Sequence, residues 1–175
     1  MQINGVRIED TFAEAFKLWG ARLIITAASA EWARTAATVT TGFATSVIGC
    51  GCEGGLEREL APAETPDGRP GASVLLFVTS SKSMESLLLQ RVGQCVMTCP
   101  TTACYNGLPL DDRAVRVGGG LRYFGDGFQI SKKLAGRRLW RIPVMDGEFL
   151  VQERFGMARA VGGGNFLILG ATAEA

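Results

Sequence analysis

Five cysteines, arranged in two clusters, are the first candidates for chemistry in the sequence. Cys50 and Cys52 flank a glycine, while Cys95, Cys99 and Cys104 lie in the segment GQCVMTCPTTACYNG. Thiolates can bind zinc and a thiol of lowered pKa can act as a nucleophile, but C-x-C and C-x₃-C lack the C-x₂-C spacing common in zinc sites. Cys95 and Cys99 are one helical turn apart on an apolar stripe, where cysteine packs as a small hydrophobe. We predict structural cysteines and no metal, with a thiolate metal site and a catalytic thiol as alternatives.

The sequence contains no histidine, and this excludes several kinds of chemistry. Ser-His-Asp and Cys-His catalysis cannot occur within this chain. A metal site would have to use thiolates or carboxylates. Acid–base catalysis would fall to Asp, Glu, Lys, Tyr or Cys.

Charged residues in turns are further candidates for contact with a substrate. Asp67 and Arg69 lie in TPDGRPG, Asp126 in FGDGF and Glu148 in DGEF, at loops or strand ends. Turn and surface charges are the commoner role of such residues. The glycine-rich segments VGGGL and VGGGN match neither G-x-G-x-x-G nor the phosphate-binding loop with its lysine, so they indicate tight turns.

Composition limits the classes of protein to which the chain can belong. It has 175 residues and a formal net charge of +1, and its basic residues do not cluster, so we predict no nucleic-acid partner. The N-terminus lacks the basic and apolar blocks of a signal peptide, and the apolar stretches are too short to span a bilayer. Five cysteines cannot all pair within one chain, which predicts free thiols, a cytoplasmic location and no membrane association.

Hydrophobic periodicity predicts helices and strands that would position these residues. Helices are predicted over 11–20, 30–41 and 81–99, and strands over 21–28, 43–49 and 72–79. Thr11 and Glu14 form a capping box for the first helix, and Gly20 is its expected stop. The first strand, second helix and second strand predict a parallel crossover unit. The long connection at 50–71 contains TPDGRPG and is either functional or mobile.

The order of these elements predicts an α+β, ferredoxin-like (β-α-β-β-α-β) lobe over residues 1–145. Either of two strand candidates, 121–128 or 137–144, would complete it. Gly93 lies inside the third helix, which indicates either close packing or the approach of a ligand or another backbone. Residues 146–175 predict the first strands of a second, similar lobe. We expect this second lobe to be incomplete in the chain, so that apolar strand faces are exposed near EFLVQ and NFLILG.

Eight segments of the chain resemble those of formylmethanofuran–tetrahydromethanopterin N-formyltransferases, in the same order. They are INGVRIEDTFAEAF, ITAASAEWA, TGFATSVI, ETPDGRPG, RVGQCVMT, YFGDGFQ, WRIPVMDGEFLVQERFG and GGGNFLILG. The resemblance runs from the first residue to the last, but it covers only the N-terminal part of such an enzyme.

The resemblance implies an acyltransferase of one-carbon metabolism. Such an enzyme moves a formyl group between methanofuran and N5 of tetrahydromethanopterin, in methanogenesis and in bacterial formaldehyde oxidation, and these small molecules are its substrates. The resemblance also implies two ferredoxin-like lobes, a homo-oligomer and no metal or prosthetic group. For members of the family from methylotrophic bacteria, the resemblance implies that the enzyme belongs to a transferase/hydrolase complex. The near-zero net charge of this chain favours the bacterial members over the archaeal ones.

The matching motifs also imply a set of substrate-contacting residues. These are Asp67, Arg69, Gln94, Cys95, Asp126 and Asn165. Arg69 would clamp the glutamyl carboxylates of methanofuran. The resemblance places the proton-handling glutamate in the C-terminal lobe, outside this chain, so no catalytic residue is assigned. Cys99 and Cys104 stand where small residues without thiols are expected, and CGCEGGLERE also diverges from the family.

Three classes of function follow from these observations. The first is a formyltransferase whose second lobe is missing from this chain, so that the chain alone does not turn over. The second is a non-catalytic lobe that acts as an interaction subunit with a separate partner chain. The third is a thiolate metal module.

Overall fold

The computed structural model of the chain describes residues 1–3, 5–10, 14–124, 128–145 and 147–163. The first strands are β1 (Gln2–Ile3), β2 (Val6–Arg7), β3 (Phe16–Thr26), β4 (Thr45–Ser46), β5 (Cys52–Leu60), β6 (Gly71–Val78) and β7 (Ala103–Asn106). The later ones are β8 (Val115–Arg116), β9 (Ile130–Leu134), β10 (Arg137–Val144), β11 (Gly147–Gln152), β12 (Arg154–Phe155) and β13 (Ala158–Gly162). The helices are α1 (Ala30–Thr41), α2 (Val47–Cys50), α3 (Ser81–Arg91) and α4 (Gly118–Leu121).

A nine-stranded sheet organises the fold. Its strands run in the order β4-β5-β6-β3-β7-β11-β10-β9, and β13 pairs with the first half of β3. Neighbouring strands are antiparallel except β7 and β11, which are parallel. The main apolar core lies between one face of this sheet and helices α1 and α3. None of the helices in the described part of the chain combines the length and apolar character needed to cross a membrane.

Strand β3 replaces part of the helix predicted over 11–20. The prediction is wrong from Phe16 onward, and Thr11 lies outside the described residues. Pairing with β6 and β13 supplies hydrogen-bond partners for its backbone, which favours a strand over a helix. Successive side chains of a strand point to opposite faces, so alternate residues of β3 enter the core beneath the helices. Gly20 is not a helix stop. It lies inside the strand, where an added Cβ would be 2.9 Å from the ring of Phe77.

Helix α1 confirms the prediction over 30–41. Ser29 Oγ accepts a hydrogen bond from the Trp32 amide at 3.2 Å and forms the N-cap, and Gly42 is the C-cap. Ala33, Ala36 and other small residues form its buried face. Short side chains let the helix approach the sheet closely.

The region between α1 and β6 differs from the prediction. The strand predicted over 43–49 is reduced to β4, and β5 occupies residues 52–60 of the predicted connection. Glycines and charges made β5 resemble a loop, but pairing with β6 supplies its backbone hydrogen bonds. The predicted parallel crossover is also altered, because β4 is antiparallel to β5 and is not a neighbour of β3.

Helix α3 begins where the third predicted helix begins and continues into a π-helical turn at Val92–Val96. Met84, Leu88, Val92 and Val96 are fully buried, as the apolar stripe predicts. The next strand in the sheet is β7, at 103–106, and not either of the two candidates. The segment 121–128 begins with the end of α4 and a turn, whereas 137–144 forms β10, two strands further along.

Of the strands after residue 146, β11 and β13 join the same sheet, whereas β12 pairs with β8. Strand β11 lies between β7 and β10, and β13 lies beside β3. Phe149 and Val151 of β11 are buried in the core, so the expected exposure of EFLVQ is wrong. The segment NFLILG lies outside the described residues.

Candidate functional site

The loop before β6 carries Asp67 and Arg69, and local hydrogen bonds fix its shape. Thr65 Oγ1 donates to the carbonyl oxygen of Arg69 at 2.7 Å, and the Arg69 amide donates to Asp67 Oδ1 at 3.3 Å. Gly68, between the two charged residues, has a φ of 70°, which glycine adopts without strain. The turn therefore holds the two side chains close together.

Asp67 is the centre of a polar network on the face of the sheet opposite the helices. Its Oδ2 atom accepts hydrogen bonds from Thr26 Oγ1 at 2.8 Å, Arg69 Nε at 2.8 Å and Tyr105 OH at 3.0 Å. Thr26 and Tyr105 are buried, and they come from β3 and β7. The network thus joins the loop to two neighbouring strands.

Arg69 completes this network with its remaining donors. Its Nη2 donates to Thr26 Oγ1 at 3.0 Å, and its Nη1 donates to the carbonyl oxygen of Thr101 at 2.6 Å. Thr101 has a positive φ of 63°, which is uncommon for a residue other than glycine. About a third of the Arg69 side chain, 32%, is still exposed. The guanidinium is therefore directed towards the protein and has one side towards solvent.

The surroundings of the network favour an ionised Asp67 and a protonated Tyr105. Burial acts to raise the pKa of Asp67, but hydrogen bonds from Thr26 and Arg69 outweigh it and hold that pKa below its usual range. Burial raises the pKa of Tyr105, and the negative charge of Asp67 raises it further. At neutral pH the phenol is thus a hydrogen-bond donor and the carboxylate is an acceptor.

Gln94 and Cys95 lie on the π-helical turn that follows α3. The Gln94 side chain is exposed and Cys95 is partly buried. Turns of this kind are frequent at functional sites. Gly93 is buried, and an added Cβ would lie 2.9 Å from Leu121 Cδ2, so its role is close packing rather than an opening for a ligand.

The predicted site residues fall into separate groups. Asp67 and Arg69 are in direct contact, but no hydrogen bond joins either of them to Gln94 or Cys95, all four being described. The two groups are connected through the chain, since Thr102 donates to the carbonyl oxygen of Val96 at 2.7 Å, next to the Thr101 carbonyl that Arg69 contacts. Asp126 and Asn165 lie outside the described residues.

All five thiols are free. Cys52 and Cys104 are buried, whereas Cys50, Cys95 and Cys99 are partly exposed. The Cys99 thiol donates to the carbonyl oxygen of Cys95 at 3.3 Å, one turn earlier. Among the described residues, no group of three or more side chains is placed to hold a metal ion.

Thr26, Thr101 and Tyr105 belong to the network but were not among the predicted site residues. Thr26 ends an apolar strand, and Tyr105 is the one large side chain of β7 with a polar tip. A buried hydroxyl needs a partner, and this requirement is the one signal in the sequence that could have suggested them. Nothing local identifies Asp67 as that partner, because 38 residues separate it from Tyr105.

The comparisons with known proteins identify the general class first. The relatives that this chain matches are named as transferases of a formyl group. More particularly, the chain belongs to the formylmethanofuran-tetrahydromethanopterin formyltransferase family, whose family model matches residues 1–144.

Two relatives show the extent of the match. The formylmethanofuran–tetrahydromethanopterin formyltransferase of Methylococcus capsulatus is 61% identical over 169 residues, which cover 97% of this chain and 56% of that protein. A subunit of the formyltransferase/hydrolase complex of Methylorubrum extorquens is 53% identical over 174 residues, which cover 96% of this chain and 56% of that protein. The chain therefore spans little more than half the length of these relatives.

Solved structures share the fold. The formylmethanofuran:tetrahydromethanopterin formyltransferase from Methanosarcina barkeri superposes with a TM-score of 0.87 at 50% identity, over 94% of this chain and 55% of that one. The formyltransferase/hydrolase complex from Methylorubrum extorquens, in complex with methylofuran, contains a chain with a TM-score of 0.85 at 52% identity, over 93% of this chain and 55% of that one. The α+β fold is thus that of formyltransferases.

Proposed function

We propose that this protein moves a formyl group between formylmethanofuran and N5 of tetrahydromethanopterin. The observation that carries the proposal is the 61% identity with the Methylococcus capsulatus formyltransferase over 97% of the chain. Relatives named as formyltransferases favour this activity over an isolated interaction subunit. The partly exposed cysteines and the absence of a metal-ligand group in the described residues give a thiolate metal module no support.

The reaction needs positioning and oxyanion stabilisation rather than histidine. A secondary amine attacks a formamide and gives a tetrahedral oxyanion, which breaks down with transfer of the formyl group. Binding two substrates in the correct orientation lowers the barrier, and each donor aimed at the oxyanion contributes about 2.7–4 kcal/mol. The family resemblance assigns proton handling to a glutamate beyond this chain. The residues present here would therefore supply walls and donors.

We assign the substrate-facing wall to the loop and the π-helical turn. The candidates are Asp67, Arg69, Gln94 and Cys95, together with Asp126 and Asn165, which lie outside the described residues. The partly exposed side of the Arg69 guanidinium could still receive a carboxylate of methanofuran. The exposed amide of Gln94 could donate to a substrate carbonyl.

The ferredoxin-like description of residues 1–145 is part of this proposal. Support comes from the neighbouring order β5-β6-β3-β7, in which α1 follows β3 and α3 follows β6. We also propose that residues 146–175 begin a second lobe. Two of its described strands, β11 and β13, would then share the sheet of the first lobe.

The cellular setting of the protein is proposed on the same basis. We expect a cytoplasmic homo-oligomer with no bound cofactor, for which methanofuran and tetrahydromethanopterin are substrates. Membership of a larger complex is supported by the Methylorubrum extorquens relative, which belongs to a formyltransferase/hydrolase complex.

A chimera tests the proposed activity. Residues 1–175 would replace the matching part of the Methylococcus capsulatus relative, and formation of the N5-formyl product would be followed. We expect turnover near that of the parent relative. Residues 1–175 alone are the comparison and should be inactive, because the family resemblance assigns proton handling to a glutamate beyond residue 175. A folded chimera without activity, beside an active parent, would contradict the proposal.

The chimera also tests whether Arg69 contacts substrate. We expect Arg69→Ala to raise KM for formylmethanofuran about tenfold, with a smaller effect on kcat, because one charge-assisted contact is lost. Arg58→Ala is the control, since Arg58 is an exposed arginine of β5 that pairs with Glu64. An unchanged KM together with a lower melting temperature would restrict Arg69 to holding the loop.

A further inference from the structure

A cleft rich in arginine lies at the Asn106 end of β7. It has a volume of about 700 Å³, which is the size of a small-molecule site. Strand ends of β7 and β11 and the turn between β9 and β10 form its walls. The charged residues that line it are Arg116, Arg137, Arg138, Glu153 and Arg154.

Two of these arginines are held in place by neutral oxygen atoms. Arg137 Nη1 donates to the carbonyl oxygen of Asn106 at 3.1 Å and to Gln152 Oε1 at 2.7 Å. Arg154 Nη2 donates to the carbonyl oxygens of Asp111 at 3.3 Å and Ala114 at 3.1 Å. These acceptors orient the guanidinium groups without neutralising their charge.

The polar floor of the cleft is built into the core. The Gln152 side chain accepts hydrogen bonds from Arg137 and from the Asn106 amide, the latter at 3.1 Å. Gln152 and Asn106 are each at least 95% buried. Groups as deeply buried as these have few alternative conformations. Arg137 is therefore positioned before any ligand arrives, which reduces the entropic cost of binding.

The balance of charge in the cleft is strongly positive. Arg116 Nε pairs with Glu153 Oε1 at 2.9 Å, and this carboxylate also accepts from Trp140 Nε1. Within the described ranges, no carboxylate lies within 4.0 Å of Arg137, Arg138 or Arg154. Three arginines without an acidic partner in the described ranges therefore line one cleft.

The geometry points to a binding site for a small multivalent oxyanion, either a polycarboxylate or a phosphorylated compound. Arginine forks match both carboxylate and phosphate oxygens through paired hydrogen bonds. Each of Arg137 and Arg154 uses one terminal nitrogen for the protein, which leaves the other guanidinium nitrogens for a ligand. The inference does not depend on the proposed formyl transfer and is tested separately from it.

Calorimetric titration with citrate and with pyrophosphate tests this site on the intact protein. We expect one ion per chain to bind, with an affinity that falls as salt is raised. The stronger of the two probes distinguishes a carboxylate site from a phosphate site. Acetate, which has one charge, should bind much more weakly.

Arg138→Gln is the informative variant because its side chain is exposed and its one described hydrogen bond, to Ser131, is 3.5 Å long. We expect about tenfold weaker binding and an unchanged melting temperature. Lys82→Gln removes the same charge from α3, outside the cleft, and should leave binding unchanged.

Two results would overturn the inference. Equal weakening in Arg138→Gln and Lys82→Gln would mean that the ions respond to overall charge. No binding of either probe at millimolar concentration would mean that the cleft takes another occupant, such as an acidic protein segment.

Discussion

Asp67 concentrates three hydrogen bonds on one carboxylate oxygen. The donors come from β3, β7 and its own loop, so this side chain connects segments that are distant in the sequence. An anion in such a place is stabilised by charge-assisted bonds, and its loss leaves the Arg69 cation without its partner. The stability of the loop should therefore depend on the ionisation of Asp67.

We predict that Asp67→Asn lowers the free energy of unfolding by about 2 kcal/mol at neutral pH. Because the pKa of Asp67 is lowered in the folded state, its contribution is present above the ordinary value of 3.8 and disappears as pH falls through the folded value. The difference between variant and wild type should shrink below pH 3.8. Denaturant unfolding at a series of pH values measures this.

Asp111→Asn is the matched control for that experiment. Asp111 pairs with Arg113 in an exposed position, where ion pairs contribute little. A loss in Asp67→Asn that is no larger than in Asp111→Asn, or that persists unchanged in acid, would contradict a stabilising role for the buried network.

The thiols should differ in reactivity in a defined order. Hydrogen bonds from Thr45 and the Ser46 amide lower the pKa of Cys50, whereas burial raises the pKa of Cys95, Cys99 and Cys104. We predict that iodoacetamide modifies Cys50 first and Cys104 only after unfolding.

Peptide mass spectrometry gives this order, and Cys50→Ser should remove the fastest phase. Metal analysis of the same preparation should find no stoichiometric zinc. Protection of all five thiols together, or one zinc per chain, would show that the cysteines form a site and are not structural.

Strand β3 decides the architecture at the level of elements. It contacts β6 along one side and both β7 and β13 along the other. Gly20 suits this arrangement, because the Phe77 ring lies across it with Cε1 only 2.9 Å from the position of a Cβ. A glycine covered by a cross-strand aromatic ring is a known device of β-sheets.

We predict that Gly20→Ala costs about 1–2 kcal/mol of stability, since the Phe77 ring must move or the strands must separate. Gly55→Ala is the control, because this glycine of β5 has open space around its Cβ position. Thermal unfolding of both variants measures the difference. Equal stability of the two would show that the ring adapts at no cost, and recovery in Gly20→Ala with Phe77→Leu would support the steric explanation.

Elements that are determined by their own local sequence were predictable, whereas elements that depend on pairing with distant segments were not. Helix α1 was predicted to the residue, because Ser29, Gly42 and the buried alanines act within the helix itself. Strands β5 and β7 were missed because their pairing is with distant segments and their sequences have no regular apolar alternation. At the site, the sequence TPDGRPG predicts the turn. The hydroxyl partners of Asp67 could not be predicted, because they are brought to it by the tertiary pairing of β3 with β7.

At the scale of the whole molecule, the terminal strand of the sheet and the residues just before it carry exposed apolar side chains. Ile130 and Leu134 of the terminal strand β9, and Phe128 two residues before it, are all half or more exposed. A group of this size commonly marks a surface that is covered by another protein. This supports the proposed oligomer.

We predict self-association that depends on this surface. Phe128→Ser combined with Ile130→Ser should shift the protein towards monomer, because it removes apolar area from the surface. Val39→Ser, at an exposed position on α1, is the control. Sedimentation velocity at several concentrations measures the change. A monomeric wild type, or equal association of all three proteins, would contradict the prediction.

The pairing of β3 with β13 has a consequence for synthesis on the ribosome. About 80 residues separate the end of β6, Val78, from the start of β13, Ala158. At roughly 5–20 residues per second, translation of that interval takes roughly 4–16 s. During this time the first half of β3 has an open edge on the side that β13 will cover, which is a template for wrong pairing. The growing chain is therefore most vulnerable to aggregation in that interval, when a chaperone that covers open strand edges would increase the yield most.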